Sequence, residues 1–418
     1  WVRLPKTWWP ASWFNADGTC KYYDPVVLLN MALYGHPESG ALWDKHLGVA
    51  LKAEGWTKIP YCPGVWFHPD SGSILVTYVD DLMLTTMPKV HAELWAQIDK
   101  TIKFKDPPEP ITRYLGVHHE LKIEGETTTL TVQMQDYLKE ATTIYKTELG
   151  IGALPFVDTP YLPENIPEDD DPPGKRAASA ASHLMKLLFA GRMAKPDQIT
   201  AINFLARNVS KWKCTHDKEL HRLMCYADHH ADEELVGELN LSDQTSVNLV
   251  MFPDADLAGE HSTSRSTSGL WVELRSADGN RSWPLVWLMK KQTSTASNTC
   301  EAEMISLATG LKKEVYPLIQ FFEMTLDRKM IMICEEDNTQ AIAAAKKGYS
   351  PALRHLERTQ RISVGVVGEA FGSEGDGSCR IQHCPTALQK GDLFTKRLDR
   401  ASFIKAKELI GIRKIRRA

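Results

Sequence analysis

Cysteine is scarce and scattered: eight residues in 418, with no Cys-x-x-Cys pair. That distribution fits neither a disulfide framework nor a paired-cysteine zinc site, and it suits a reducing, intracellular compartment, cytoplasm or nucleus. Long apolar runs are missing too. The longest largely apolar stretch, residues 25–34, is about ten residues, against the roughly 20 that a membrane span needs. No charged segment followed by an apolar one opens the chain, so neither secretion nor a membrane partner is expected. The first residue is Trp1 rather than Met, which predicts a fragment of something longer. Charge of one sign is also lacking. Lys and Arg number 49 against 53 Asp and Glu, a net charge of −4, which argues against a surface wrapped everywhere in nucleic acid but allows a local basic patch. No internal repeat is visible.

What is present is the mix of a folded globular protein, 43% hydrophobic and 24% charged. The length corresponds to roughly three domains at ~100–200 residues each, long enough to bury real cores. Composition changes abruptly at PFVDTPYLPENIPEDDDPPGKRAA, residues 155–178, dense in proline and acid and without helical period. It reads as an exposed linker. Before it, WFHPDSGSILVTYVDDLMLTT reads as successive short strands with Asp70-Ser71-Gly72 as a hairpin turn, flanked by helices over about 41–55 and 91–104. After the linker, residues 182–232 carry apolar positions at helical spacing and predict two or three helices.

From Ser246 the pattern changes again. SVNLVMF predicts a strand, and GLWVELRS with SWPLVWLMK an antiparallel pair joined through Ala277-Asp278-Gly279-Asn280. A long helix starts after Thr299, with Met304, Leu307, Leu311, Val315, Leu318 and Phe322 on one face. Strand MIMIC, an Ala-rich helix, strand CRIQHC and a last helix from Gly391 follow. Three strands, a helix, then alternating strand and helix is an α/β layout with a mixed sheet.

Acting on a phosphodiester with two metal ions requires several carboxylates converging on one point, because hard divalent cations prefer oxygen ligands. The C-terminal third offers such a set. Asp254 and Asp256 follow the first strand, Glu303 sits in the first turns of the long helix, Asp337 ends the strand MIMICEEDN, and Asp392 starts the last helix. Each acid alone is more simply a cap, a dipole partner or a turn residue. The ordered set of four lifts the reading above that. Tyr78-Val79-Asp80-Asp81 places two further acids at a tight strand–turn–strand tip, the presentation that a metal-bound triphosphate requires, although a solvated turn looks the same in isolation.

PDADLAGEHSTSRSTSGLWVEL, KKQTSTASNTCEAEMISLATGLKKEVY, EEDNTQAIAAAKKG and LQKGDLFTKRLDRASF together resemble, over about 150 residues, the ribonuclease H domain that ends the Pol polyprotein of copia-type LTR retrotransposons. The resemblance implies that Asp254, Glu303, Asp337 and Asp392 hold two Mg²⁺ (or Mn²⁺) ions ~4 Å apart, one activating water and the other stabilising the leaving oxygen. Asp256, Glu301 and Glu336 are read as neighbours rather than ligands. The likeness extends backward: ALYGHPESGALWDKHL, TYVDDLMLTT and ITRYLGVHHEL are similar to reverse-transcriptase segments of that family, and AKPDQITAINFLARNVSKW to its connection. It implies that Asp80 and Asp81 are polymerase metal ligands.

The expected organisation is therefore partial reverse transcriptase (1–154, palm and thumb with most of the fingers missing), acidic linker (155–181), helical connection (182–245), ribonuclease H-like domain (246–400) and basic tail (401–418). In fold terms this is an α/β and α+β multidomain chain ending in a mixed five-stranded sheet with helices. WVRLPKTWWP resembles the stretch just after the strand that carries the family's other palm Asp, so polymerisation by this chain alone is not expected. His36, Pro37 and Glu38 depart from the family's basic and amide residues, and Arg361 and Ser363 stand where it has His and Asp.

His221, Cys225 and His229 lie four residues apart on one helix face, but ligands rising about 6 Å per step are too spread for one tetrahedral ion, so a packed face is expected. Cys379, His383 and Cys384 lie on a strand whose neighbouring side chains point oppositely, which argues against a shared metal. Trp8, Trp9 and Trp13 read as core aromatics or as base-stacking residues. From Lys390 to Arg417 there are ten Lys or Arg against three acids. That excess makes Lys396, Arg397, Arg413, Lys414, Arg416 and Arg417 candidate contacts to a nucleic-acid backbone, with a solvated helix end as the alternative. The functional expectation is Mg-dependent cleavage of the RNA strand of an RNA–DNA hybrid, with the rest of a Pol polyprotein as a further partner. A non-catalytic remnant that folds and binds nucleic acid is the rival, and polymerase activity restored by an upstream piece is the third reading.

Overall fold

A computed structural model describes residues 1–33, 35–162, 171–260, 263–359, 361–372 and 375–415. The chain forms two compact units, Trp1–Glu109 and Pro110–Ala418, so the compact division falls well before the proline-rich segment.

In the first unit a two-stranded ribbon, β1 (Val2–Arg3) and β2 (Val26–Val27), precedes helix α1 (Ser39–Ala53). Then come β3 (Thr57–Lys58), β4 (Val65–His68), β5 (Ser73–Tyr78), β6 (Asp81–Thr85) and α2 (Pro88–Ile102). The strands β3 to β6 pair antiparallel in chain order. Both helices expected here are present, each set two or three residues earlier. Pro88 opens α2 where a missing N–H costs nothing. Leu47 and Leu51 on α1, and Leu94 and Ile98 on α2, repeat at one-turn spacing and meet Trp56, Trp66 and Leu75 in a small core. Each such side chain contributes about 1.5–3 kcal/mol of burial. The Asp70-Ser71-Gly72 turn forms as expected, with His68 paired to Ser73 and Gly72 at φ +64°.

The second unit opens with β7 (Arg113–Tyr114), β8 (Val117–Glu124) and β9 (Thr127–Gln133). Four helices follow, α3 (Gln135–Leu149), α4 (Ala180–Met193), α5 (Ile199–Ala206) and α6 (Cys214–His229). Next are β10 (Glu234–Asn240), β11 (Asn248–Glu260), β12 (Arg265–Arg275), β13 (Ser282–Lys291), α7 (Thr299–Gly310) and α8 (Tyr316–Leu326). The chain continues through β14 (Met332–Glu336), α9 (Thr339–Lys347), α10 (Leu356–Thr359), α11 (Val364–Phe371), β15 (Cys379–His383), α12 (Arg400–Leu409) and β16 (Ile412–Arg413). Among the described residues these strands make two sheets. One is antiparallel in the order β16-β10-β9-β8-β7. The other, in the order β13-β12-β11-β14-β15, is antiparallel over its first three strands and parallel from β11 to β15. This is the mixed five-stranded sheet that was expected.

Both faces of that sheet are covered, which is why β11 reads as a continuous apolar run. Val250, Phe252 and Trp271 pack with α4 to α6 and α12 in one core. Leu249, Met251, Leu270 and Val272 pack with α7, α9 and α11 in the other. Trp287 on β13 donates its indole N–H to the Gly191 carbonyl of α4 at 2.8 Å, so the connection helices are part of the same body.

The structure departs from expectation in several places. Strand β11 runs on to Glu260, so Asp254 and Asp256 lie within it rather than after it. The single long helix is broken: residues 311–315 widen into a π turn between α7 and α8. Pro317 lacks the N–H that would bond the carbonyl one turn back, and its ring crowds that carbonyl, so the turn loosens. The apolar face survives the break, with Met304, Leu307, Leu311 and Val315 buried. Asp392 sits in a 3-10 turn, Lys390–Phe394, not at the head of the last helix. The linker is not an exposed connector where it is described. Thr159 and Tyr161 are buried, the Leu398 N–H donates to the Tyr161 hydroxyl at 2.7 Å, and the Thr215 N–H donates to Asp171 at 3.1 Å. Residues 163–170 of it lie outside the described residues. All eight cysteines are free, and among the described residues no helix is long and apolar enough to cross a membrane.

Candidate metal centre

Asp254 is held on the middle strand of the mixed sheet, opposite Gly269 of β12. The turn at residues 390–395 lies directly over this pair. A Cβ on Gly391 would stand 2.8 Å from the Asp254 Cβ and 2.9 Å from the Phe252 carbonyl, so only glycine allows that approach. Gln389 clasps the turn to two strands: its amide donates to the carbonyls of Pro253 and Glu335, each at 3.1 Å, while its own oxygen accepts from the Gly391 N–H. This clasp brings Asp392 to Asp254.

Helix α7 supplies Glu303. Asn298 caps it by accepting from the Glu301 N–H at 2.9 Å, and Glu301 in turn accepts from the Ser297 N–H at 2.9 Å and from His355 at 3.0 Å. Glu301 is thus spent on the cap, as its reading as a neighbour implied. The Ser306 hydroxyl, bonded to the Gly269 carbonyl at 3.0 Å, fixes the helix on the sheet. Asp337 follows the last residue of β14 and accepts from the Thr386 hydroxyl at 3.2 Å.

Two groups of acids result. Ligand oxygens of Asp254, Asp337 and Asp392 lie within 4.8 Å of one another, and so do those of Glu303, Glu336 and Asp337. Asp337 belongs to both. All four acids expected from the sequence therefore converge, together with Glu336, which had been set aside. Glu336 is fully buried; its Oε1 accepts from the Asn338 N–H at 3.0 Å. The signal for it was present: Met332, Cys334 and Glu336 alternate along β14, and Met332 and Cys334 pack in the core that α7 and α9 cover. Asp256 accepts from the Thr267 N–H and joins neither group; burial pushes its carboxyl up to about 6.

Electrostatically the centre is overloaded with negative charge. Burial, then Asp254 and the other acids, push the Glu303 carboxyl far above its ordinary range. Burial, with Asp337 and Asp254, raises Glu336, and burial, with Asp254, raises Asp392. Glu303 Oε2 and Glu336 Oε2 are buried with no hydrogen-bond partner. A buried carboxylate oxygen without a donor needs a cation or a proton. An all-oxygen donor set with two orphaned atoms fits a hard divalent cation such as Mg²⁺ or Mn²⁺.

One cation is built in. The Lys396 ammonium lies 2.5 Å from Asp392 and 3.2 Å from Asp254, and the Thr395 hydroxyl also donates to Asp254. This corrects the expectation for Lys396, which faces the acids. Arg397 is also engaged inside the chain, forked onto Glu219 at 2.6 and 3.1 Å. Arg413 pairs with Glu238 and Lys414 with Asp232, so these four basic residues each have an acid partner within the chain. Arg416 and Arg417 lie outside the described residues.

In the first unit, Asp80 and Asp81 are exposed at the β5–β6 turn, where Tyr78 pairs with Asp81. Val79 there adopts φ +55°, costly for a β-branched residue, and its carbonyl accepts from the Trp43 indole N–H at 2.5 Å. Among the described residues no third acid joins this pair. Trp8 is 72% exposed, while Trp9 and Trp13 meet edge to face at 5.7 Å. The helix face of α6 is packed as expected: Cys225 is buried, His221 bonds the Tyr145 hydroxyl and His229 the Leu154 carbonyl. His383, the last residue of β15, is exposed, and Cys384 after it is buried.

No family model matches the chain. It is 24% identical over 272 residues to a putative Ty5-1 transposon protein of Saccharomyces cerevisiae, covering 64% of this chain and 82% of that protein. It is 26% identical over 406 residues to the retrovirus-related Pol polyprotein from transposon TNT 1-94 of Nicotiana tabacum, covering 93% of this chain and 28% of the polyprotein. The chain thus spans less than a third of that polyprotein. Among solved structures, a foamy viral protease-reverse transcriptase in complex with RNA/DNA hybrid aligns with a TM-score of 0.41 at 15% identity, over 85% of this chain and 39% of that one. The N-terminal ribonuclease H domain of a Mycobacterium tuberculosis protein, solved as a fusion with maltose-binding protein, aligns with a TM-score of 0.24 at 14% identity, over 39% of this chain and 98% of that one. The chain is similar to retrotransposon Pol polyproteins, as its motifs indicated.

Proposed function

We propose that the second unit is a nuclease that cleaves the RNA strand of an RNA–DNA hybrid with Mg²⁺ or Mn²⁺, as part of a Pol-derived protein. The observation that carries this is the convergence of Asp254, Glu303, Asp337 and Asp392, contributed by a strand, a helix, a strand end and a turn, into two acid groups that share Asp337. These residues would hold the cations. Bound there, divalent cations supply Lewis acidity at the phosphoryl oxygens and a deprotonated water at neutral pH. The chain's own residues do the rest. Gln389 keeps the ends of β11 and β14 in register with the 390–395 turn, so that acids on different elements keep their spacing. Lys396, partly exposed at the edge of the acids, is a fixed positive charge in contact with Asp254 and Asp392. Recognition of the hybrid would rest on backbone shape and the 2′-OH rather than on sequence. The first unit, with Asp80 and Asp81 at its turn, is read as polymerase-derived and inactive in this chain alone.

Full-length chain with Mg²⁺ or Mn²⁺ and a hybrid labelled on its RNA strand tests the proposal. Cleavage that EDTA abolishes, and that Asp254→Asn or Asp337→Asn lowers by at least about a hundredfold, is expected, since several kcal/mol of charge stabilisation would be lost. No cleavage, or cleavage untouched by both substitutions, overturns it in favour of a non-catalytic remnant that binds nucleic acid. Primer extension by the same preparation is expected to fail, and robust synthesis would overturn the reading of the first unit.

A further inference from the structure

The two acid groups are not equivalent. The group formed by Asp254, Asp337 and Asp392 already contains a positive charge, because Lys396 bonds Asp392 at 2.5 Å and Asp254 at 3.2 Å. Asp254 is further satisfied by the Thr395 hydroxyl. In the group formed by Glu303, Glu336 and Asp337, Lys396 acts on Glu303 and Glu336 only through space, with no ion pair to either. Glu303 Oε2 and Glu336 Oε2 are each without a hydrogen bond, on side chains that are 3% and 0% exposed. Burying two carboxylates this deeply is costly unless something positive sits between them.

We propose that Glu336 is a cation ligand, and that Glu303, Glu336 and Asp337 form the first divalent site to fill, before the site on the Lys396 side. Glu336 suits the role geometrically. Its Oε1 is pinned by the Asn338 N–H at the head of α9, its Oε2 has no partner, and the carboxylate lies with those of Glu303 and Asp337 within 4.8 Å. A cation entering here meets three carboxylates and displaces no resident charge. A cation entering between Asp254 and Asp392 must first displace the Lys396 ammonium. Glu336 thus acts as a fifth acid that separates the two loading steps. The inference rests on the reading of this centre as a divalent-cation site, but its test requires neither nucleic acid nor turnover, so a failure of hybrid cleavage and a failure of this assignment are distinguishable.

The test is a titration of the full chain with Mn²⁺ in the absence of nucleic acid, followed by calorimetry and by water-proton relaxation. Two binding events are expected in the wild type. Glu336→Gln keeps the volume and the acceptor for the Asn338 N–H, and is expected to weaken the first event at least about tenfold, as loss of a metal-orienting group does. It should also raise the unfolding temperature in EDTA, because one acid of a crowded buried group has been neutralised, and shrink the gain that Mn²⁺ brings. Glu303→Gln, on a different element, should weaken the same event, which guards against a folding defect peculiar to one variant. Lys396→Met should strengthen the second event more than the first, because the ammonium is in contact only with Asp254 and Asp392. A Glu336→Gln isotherm superimposable on the wild type, absence of saturable Mn²⁺ binding by the wild type, or a Lys396→Met gain larger in the first event than in the second would each overturn the assignment.

Discussion

Replacing Lys396 with methionine should destabilise the protein in EDTA and make it more responsive to Mg²⁺. The substitution keeps most of the apolar stem and removes only the ammonium. That ammonium faces Asp392 at 2.5 Å and Asp254 at 3.2 Å, and Asp254 is 1% exposed. At an effective dielectric of about 20, the two contacts are worth about 5–7 kcal/mol each in gross Coulomb terms. The lysine side chain is 40% exposed, so screening and dehydration cancel most of this. A net loss of about 1–3 kcal/mol remains, below the 3–5 kcal/mol that breaking a fully buried pair costs. Saturating Mg²⁺ should reduce this loss, because the cation no longer competes with a tethered ammonium; a tenfold gain in affinity adds about 1.4 kcal/mol to the variant's Mg²⁺-induced stabilisation. Urea unfolding of wild type and variant, each in EDTA and in Mg²⁺, measures both quantities. Equal losses in the two conditions would refute the reasoning, since they would mean that the ammonium acts on the fold and not on the acids.

Three further outcomes are expected. Burial pushes the Glu233 carboxyl up, but hydrogen bonding from His230 and the ammonium groups of Lys407 and Lys195 outweigh it and hold it at about 2, against an ordinary 4.5. The carboxylate therefore contributes about 3 kcal/mol above pH 4.5, lost as the pH falls toward 2. Glu233→Gln should remove this acid limb from a plot of stability against pH, and an unchanged limb would contradict the pairing. Gly391→Ala should cost about 1–3 kcal/mol in thermal unfolding and also weaken Mn²⁺ binding, because the new methyl group pushes the Asp392 turn off the Asp254 strand; wild-type Mn²⁺ affinity would count against the close approach. Val79→Gly should stabilise the first unit by about 1 kcal/mol in thermal unfolding, because a left-handed β-branched residue is relieved and its side chain, 58% exposed, loses little burial. Destabilisation would show that the valine is held there by packing.

Local patterns in the sequence were sufficient for whatever depends on neighbours along the chain. The run SVNLVMF predicted a strand, and the four acids were legible because they recur in order along the strand and helix pattern. What escaped depends on elements far apart. The π turn at residues 311–315 comes from one proline inside a face that keeps its period, so periodicity alone could not see it. Strands β10 and β16 are short, and they pair only because α12 returns the chain to β10, with Leu235 opposite Ile412. Glu336 escaped through caution about adjacent acids. Three acids in a row offer three candidates, and only the alternation with Cys334 and Met332 shows which of them points beneath α7.

The basic tail shows why a local charge count is a weak guide to a binding surface. Ten basic residues against three acids between residues 390 and 417 looked like a patch facing solvent. Yet Lys396 takes its counter-charge from Asp254, 142 residues away, Arg397 from Glu219, 178 residues away, and Arg413 from Glu238, 175 residues away. A window along the chain counts the cations and misses the anions that folding brings to them. Coulomb attraction falls with distance in space, and the Debye length at physiological salt is about 8 Å, so only the folded neighbourhood sets the field that a phosphate would feel. For Lys396 that neighbourhood is an acid cluster, and the excess charge in the sequence becomes the internal balance of the candidate metal centre.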